Sequence, residues 1–237
     1  MNPQNPSQKV LRNALLDALR NAVLDAWSVL SPVSCAGCGA DDRALCPACR
    51  AALALDLRRN ALPDGTPVFS ALPYSGPVRS TILAFKEQGR TDVARALALP
   101  LRLALETALQ TVSAGAAHLT TVPSTRAAYR RRGYDPVTLL VAKAGGHPVR
   151  LLRHTRAHQE QKSLGRSERS RNLVGSLAAR HPGVGAVVIV DDIMTTGSTL
   201  TEAVRAVRAA GGHVEAAVTL AFTERILPVP AVPRTYE

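Results

Sequence analysis

The segment spanning residues 185–199 constrains the fold of this chain more than any other. Residues 185–190 form a continuous apolar run rich in Val and Ile, which is typical of a strand buried on both faces of a parallel sheet. Asp191 and Asp192 follow directly, and a hydroxyl-rich loop around a single glycine comes next. A helix is predicted over residues 199–210, so the segment indicates a strand, a turn and a helix in succession.

The loop has the chemistry of an anion site. A helix N-terminus offers free backbone N–H groups and the positive end of the helix dipole, and Gly197 lets the backbone approach a ligand closely. Further donors are the hydroxyls of Thr195, Thr196, Ser198 and Thr199. The two carboxylates would repel a phosphate, but they suit sugar hydroxyls or Mg²⁺. The segment therefore fits a ribose 5-phosphate, whereas an ordinary helix cap needs neither two acids nor four hydroxyls.

Strands and helices alternate along most of the chain. Strands are predicted at 68–72, 118–122, 148–152 and 214–222, and helices at 78–85, 92–110, 136–144 and 167–179. This alternation predicts an α/β fold with a mostly parallel central sheet flanked by helices. Pro100 predicts a kink or a division into two pieces within its helix.

Two units are expected along the chain. An amphipathic helix over residues 9–30 and a small cysteine module occupy residues 1–60, and the α/β domain occupies residues 61–237. Acids and bases nearly balance on the first helix. A face packed on its own protein is therefore a better interpretation than a membrane-surface helix.

The four cysteines form two C-x2-C pairs separated by seven residues, namely Cys35, Cys38, Cys46 and Cys49. Two such pairs present four thiolates to one tetrahedral Zn²⁺. Four unconnected thiols and a redox-active pair are the alternatives. All the cysteines of the chain fall in this pattern, which favours a structural zinc site with no open position for catalysis.

The positive charge is concentrated in one segment. The 237 residues carry a formal net charge of +11, and residues 126–171 hold ten Arg and two Lys against three acids. Three interpretations are pyrophosphate or substrate binding, a track for single-stranded DNA, and a solvated charged face. Tyr129 and Tyr134 could stack on bases, but aromatic residues make up 3% of the chain, which argues against an extensive stacking surface.

The sequence predicts no membrane insertion, because no apolar run approaches the roughly 18 residues of a spanning helix. No secretory signal is recognisable either, so we expect a cytoplasmic location. A reducing cytosol would not normally pair the cysteines into structural disulfides.

The loop at residues 191–199 resembles the 5-phosphoribosyl-1-pyrophosphate (PRPP) signature of type I phosphoribosyltransferases. The wider pattern resembles the ComF/GntX family, competence-associated proteins with a zinc module before that domain. The supporting stretches, in family order, are the cysteine segment, 74–79 leading to Lys86, 122–124, 132–134, Gln159 and 169–173. The family commonly reads Arg-Gly-Phe-Asn-Gln where this chain reads Arg132-Gly133-Tyr134-Asp135-Pro136.

The resemblance implies a role for each matching group of residues. Asp191 and Asp192 would hold the ribose hydroxyls and help to place Mg²⁺, and residues 195–199 would bind the 5-phosphate. The turn with Ser124, Thr125 and Arg126 would face the pyrophosphate, and Zn²⁺ would be a structural cofactor. The family's link to natural transformation favours the DNA interpretation of the basic segment, with these candidates: Arg130, Arg131, Arg132, Tyr134, Arg153 and Arg156.

Two functions follow from the resemblance. The first is a PRPP-binding competence protein that acts in natural transformation through single-stranded DNA or DNA-processing competence proteins. The alternative is a Mg²⁺-dependent phosphoribosyltransferase with an unidentified acceptor. No base that would activate an acceptor is recognisable in the sequence, so catalysis is left open at this point.

Overall fold

The structure is a computed structural model that describes residues 33–41, 43–112, 117–155, 173–183 and 185–223. The helix predicted over residues 9–30, Arg156 and the first part of the helix predicted over 167–179 lie outside the described residues. The strands in chain order are β1 (Arg58–Ala61), β2 (Pro67–Pro73), β3 (His118–Thr121), β4 (Leu152–His154), β5 (Leu177–Ala179), β6 (Ala186–Met194) and β7 (His213–Phe222). The helices are α1 (Pro47–Ala51), α2 (Gly76–Glu87), α3 (Ala94–Gln110), α4 (Arg126–Arg132), α5 (Pro136–Lys143) and α6 (Ser198–Ala209).

A five-stranded sheet forms the centre of the domain. Its strand order is β1-β2-β7-β6-β3. β1 pairs with β2 in antiparallel fashion, and the other neighbouring strands are parallel. The prediction of an α/β fold with a mostly parallel central sheet is confirmed.

Helices cover both faces of this sheet. Side chains alternate along each strand, so neighbouring residues of one strand pack against helices on opposite faces. On β6, Val188 and Val190 pack into one core with α3, whereas Val187 and Ile189 pack into a second core with α6. All four valine and isoleucine side chains are fully buried. The continuous apolar run is therefore a strand that is covered on both faces, as its sequence predicted.

The helix with Pro100 is one continuous α-helix, Ala94–Gln110, so it is not divided into two pieces at the buried proline. Two local predictions were wrong. The strand expected at residues 148–152 lies instead at β4, and Val149 forms a single parallel bridge with Thr120. The last part of the helix expected at 167–179 is β5, which pairs with β4 in antiparallel fashion.

The cysteine module packs directly on the α/β domain. Cys35, Leu45, Cys49 and Leu53 belong to the same hydrophobic core as Ile82 of α2. The guanidinium of Arg90 adds a polar connection, because it donates to Ser34 O at 2.9 Å and to Ala44 O at 3.5 Å while pairing with Asp92. The strand β1, which crosses the expected division at residue 60, extends the central sheet. Among the described helices, none combines the length and apolar character required to cross a membrane.

Candidate functional site

The candidate site lies where β3 and β6 end. These strands are adjacent and parallel, with Thr121 opposite Val190, so their carboxyl ends open on the same edge of the sheet. The N–H of Val122 donates to Val190 O at 3.0 Å and carries the pairing one residue further. The segment after each strand therefore lies beside the other, as ligand sites of open α/β sheets require.

A cleft of about 500 Å³ opens at this edge. It brings together six residues that the sequence predicted for ligand binding: Ser124, Thr125, Asp191, Asp192, Thr195 and Thr199. Lys86, Arg131 and Arg132 also line it. Thr196, Gly197 and Ser198 belong to the same loop but are not among its lining residues, and Arg126 lines a neighbouring cleft instead.

The acid pair lies inside the last part of β6 instead of after it, because this strand continues to Met194. Asp191 is 9% exposed and accepts a hydrogen bond from the N–H of Asp192 at 2.8 Å. Burial, reinforced by the charge of Asp192, raises the pKa of Asp191 to about 8. Asp192 forms an ion pair with the Lys86 ammonium. The pair thus presents carboxylate oxygens to the cleft beside one protein cation.

The loop at residues 195–199 leads into the N-terminus of α6. Gly197 is the N-cap residue with φ of 75°, and it has no side chain that could satisfy the first N–H groups of the helix. The hydroxyls of Thr196 and Ser198 hydrogen-bond to each other at 2.8 Å. The positive φ favours glycine at this position, and a Cβ there would lie 3.1 Å from Leu62 Cδ2, so the Leu62 side chain would also have to shift.

The turn after β3 is held by one carboxylate. Asp135 Oδ2 accepts from the N–H of Ser124 at 3.0 Å, and Asp135 Oδ1 accepts from the N–H of Thr138 at 3.0 Å as the N-cap of α5. Pro136 occupies the first position of that helix. The N–H of any residue at this position has no partner within the helix, so a proline, which lacks the N–H, fits there without loss of a hydrogen bond. The Asp-Pro pair is therefore a helix start that also fixes the turn.

The residues predicted to bind nucleic acid divide into two groups. Arg130, Arg131 and Arg153 are exposed. Arg132, with a side chain 6% exposed, donates to Lys86 O at 3.1 Å and to Ser124 Oγ at 3.3 Å, and the Tyr134 hydroxyl donates to Phe85 O. These last two side chains therefore connect the turn after β3 to the end of α2.

A second, wider cleft of about 790 Å³ shares Pro123 and Ser124 with the first. Tyr129 lies on its wall, and four arginines line it: Arg126, Arg130, Arg150 and Arg180. Asp135, the acid among its lining residues, already accepts the two backbone hydrogen bonds described above. The second cleft is therefore strongly positive.

The four cysteine sulfurs lie within 4.8 Å of one another. Cys38 Sγ and Cys46 Sγ are 3.7 Å apart, close to the separation of about 3.8 Å expected between two thiolates at 2.3 Å from one tetrahedral Zn²⁺. A Cβ on Gly37 would lie 2.6 Å from Cys49 Sγ, so the first turn requires glycine. Burial raises the pKa of Cys35, but hydrogen bonds led by that from the Cys46 N–H reverse the effect and lower it to about 6. The donor set fits a structural metal ion.

Local sequence patterns assign no role in the site to Lys86 or Asp135. Lys86 is more than 100 positions from its partner Asp192 in the chain, and its neighbours in sequence form an ordinary amphipathic helix. Asp135 had a local signal, because an Asp before a Pro is a typical helix start. Its bond to Ser124 is tertiary and has no counterpart in the local pattern.

Comparison with known proteins identifies one domain family for this chain. The model of the phosphoribosyl transferase domain matches residues 92–235, which is more than half of the chain. An adenine phosphoribosyltransferase structure is 17% identical, with a TM-score of 0.37 over 74% of this chain and 90% of that one. An orotate phosphoribosyltransferase from Aeropyrum pernix is 16% identical, with a TM-score of 0.31 over 73% and 89%. None of the curated proteins matches the chain.

Proposed function

Because this chain belongs to the phosphoribosyl transferase domain family, we propose that it binds PRPP with Mg²⁺ in the cleft at the ends of β3 and β6. The observation that carries the proposal is the convergence of three segments on one cleft of about 500 Å³. These are the acid pair, the hydroxyl loop before α6 and the turn after β3. The first two are contiguous in sequence, whereas the turn precedes them by more than 60 positions, and each segment suits a different part of the ligand.

Each segment has a task in this proposal. The N-terminus of α6 and the hydroxyls at residues 195–199 bind the 5-phosphate through N–H and O–H donors. The carboxylates of Asp191 and Asp192 accept hydrogen bonds from the ribose hydroxyls. Ser124 and Thr125 face the pyrophosphate, with the charges of Arg131 and Arg132 on the same side of the cleft.

The acid pair also fits the metal ion that accompanies PRPP in this proposal. Carboxylate oxygens are the hard ligands that Mg²⁺ prefers, and two of them face the same cleft. When bound, the ion neutralises negative charge on the pyrophosphate. The rest of the work of the site is positioning, because it holds both ends of the ribose in a fixed orientation.

Isothermal titration of PRPP in the presence of Mg²⁺ tests this proposal. The wild type should bind, and an Asp191→Asn, Asp192→Asn double variant should bind at least 100-fold more weakly, because it keeps side-chain shape but loses both carboxyl groups. Glu106→Gln is the matched control, since Glu106 is exposed on α3 and pairs with Arg102 on the same helix. Equal affinity of the double variant and the control would refute the assignment.

We further propose a ComF-like role in DNA uptake, which the four-cysteine cluster and the exposed arginines support. The DNA-contacting residues in this proposal are Arg130 and Arg153, since Arg131, Arg132 and Tyr134 are engaged within the domain. Single-stranded DNA would be held by its phosphates along these side chains.

The second cleft supports the alternative, an active phosphoribosyltransferase, because it offers room for an acceptor beside the PRPP cleft. In that reaction the bond from the ribose C1 to the pyrophosphate oxygen breaks, a bond to the acceptor forms, and pyrophosphate leaves. Release of pyrophosphate from PRPP on addition of an acceptor would distinguish this alternative from a binding role.

A further inference from the structure

Among the described residues, Lys86 is the one lysine that lines the cleft proposed to bind PRPP. It lies in the last turn of α2, on a segment to which no phosphate-binding role was assigned. Its ammonium forms an ion pair with Asp192, and the two side chains are 30% and 14% exposed. The ion pair is therefore partly withdrawn from water, inside the site where the acid pair would meet its ligand.

The position of Lys86 is fixed by hydrogen bonds to the backbone around it. The Tyr134 hydroxyl donates to the carbonyl of Phe85, and the guanidinium of Arg132 donates to the carbonyl of Lys86 itself. Glu87, the next residue, pairs with Arg131 at 2.5 Å. The end of α2 is thus attached to the segment after β3, and the reach of Lys86 to Asp192 follows from that attachment.

A cation stabilises the acid pair at this place. Asp192 lies next to the buried Asp191 and its own side chain is 14% exposed, so water screens its attraction to a neighbouring cation only weakly. The ion pair between the Lys86 ammonium and Asp192 therefore supplies a positive charge directly beside the acid pair.

We propose that Lys86 occupies the metal position of the acid pair until PRPP arrives, and so keeps free divalent ions out of the empty site. An ammonium and a divalent cation repel each other, so both cannot bind the same carboxylate at full strength. In this proposal the Lys86 ammonium pairs with a phosphate of PRPP when PRPP binds, and the Asp192 carboxylate is then free to bind the divalent ion. This inference rests on the proposed function, because the exchange needs a phosphate-rich ligand.

Binding of Mn²⁺ in the absence of PRPP tests the inference. Mn²⁺ takes oxygen ligands as Mg²⁺ does, and electron paramagnetic resonance measures how much of the ion is free. The wild type should bind Mn²⁺ weakly in this cleft, and Lys86→Met should bind it at least tenfold more tightly. Lys86→Arg keeps the charge and should resemble the wild type, and adding Asp192→Asn to Lys86→Met should remove the gained site.

Adding PRPP separates this inference from the proposed function. If both hold, PRPP should increase Mn²⁺ binding by the wild type beyond the amount that the same PRPP binds in a sample without protein. If PRPP does so while folded Lys86→Met binds Mn²⁺ no more tightly than the wild type, the inference about Lys86 is wrong and the PRPP site stands. If Lys86→Met gains the ion but PRPP changes nothing in any variant, the proposed function and the exchange are both refuted, and Lys86 competes with the ion for another reason.

Discussion

Asp135 offers a way to disturb the turn after β3 without disturbing the helix beside it. Its two carboxylate oxygens accept from different segments, one from Ser124 N–H and the other from Thr138 N–H, each at 3.0 Å. An Asn side chain has one acceptor oxygen instead of two. Asp135→Asn should therefore keep the N-cap of α5 and lose the bond to Ser124, whereas Asp135→Ala should lose both.

The magnitudes follow from the two hydrogen bonds. Asn and Asp are about equally good N-caps, and replacing either with Ala costs about 1 kcal/mol. Ser124 is half-buried, so its N–H without an acceptor costs about 1 kcal/mol, at the low end of the range for an unsatisfied group. We expect Asp135→Asn to lower the free energy of unfolding by about 1 kcal/mol and Asp135→Ala to lower it by about 2 kcal/mol.

Two assays read the two effects separately. Urea unfolding followed by circular dichroism gives the stability differences, and titration with PRPP and Mg²⁺ gives the effect on the turn. Both variants should bind PRPP about tenfold more weakly, by similar factors, although Asp135→Ala is the less stable protein. If Asp135→Asn binds PRPP as the wild type does, the turn is not positioned through Asp135. If the two variants are equally stable, the capping bond contributes nothing.

Two further predictions concern the cysteine cluster and the exposed arginines. Purified protein should contain one zinc ion per chain, and Cys46→Ser should lose the zinc and unfold at a lower temperature, because one thiolate of four is removed; native protein without zinc on metal analysis would contradict this. Arg130→Glu with Arg153→Glu should weaken binding of single-stranded DNA and reduce the slope of log K against log salt by about 0.7 for each DNA phosphate that is no longer neutralised. The slope of Glu106→Gln should match the wild type, and an unchanged slope in the double variant would remove these arginines from the DNA interface.

The parts of the fold that could be predicted are those in which one local pattern suffices. The apolar run before Asp191 indicated β6 because a strand buried on both faces has no polar alternation. The four cysteines were predicted as a cluster from their spacing, and their sulfurs do lie together. The acid pair and the hydroxyl loop were recognised because they are contiguous in sequence.

The wrong predictions arose where tertiary contacts override local preference. Leu177–Ala179 has the composition of a helix, yet it is a strand. The N–H of Leu177 donates to the Glu202 carboxylate at 2.9 Å, and the Arg205 guanidinium donates to the carbonyl of Leu177 at 2.9 Å. Two side chains of α6 therefore bind the N–H and C=O of Leu177 that a helix would use for its own hydrogen bonds. The ion pair between Lys86 and Asp192 could not be predicted from sequence either, because it depends on how α2 packs against the sheet.

The packing of the cysteine cluster on α2 has a consequence for anyone who would shorten this chain. Cys35 and Cys49 share a core with Phe69, Ile82 and Leu97, so removal of the cluster would expose apolar side chains of the sheet and of two helices to water. The cysteine cluster is therefore part of the wall of the α/β domain and not a detachable tag. A fragment that starts after Cys49 should be prone to aggregate, whatever its ability to bind a nucleotide precursor.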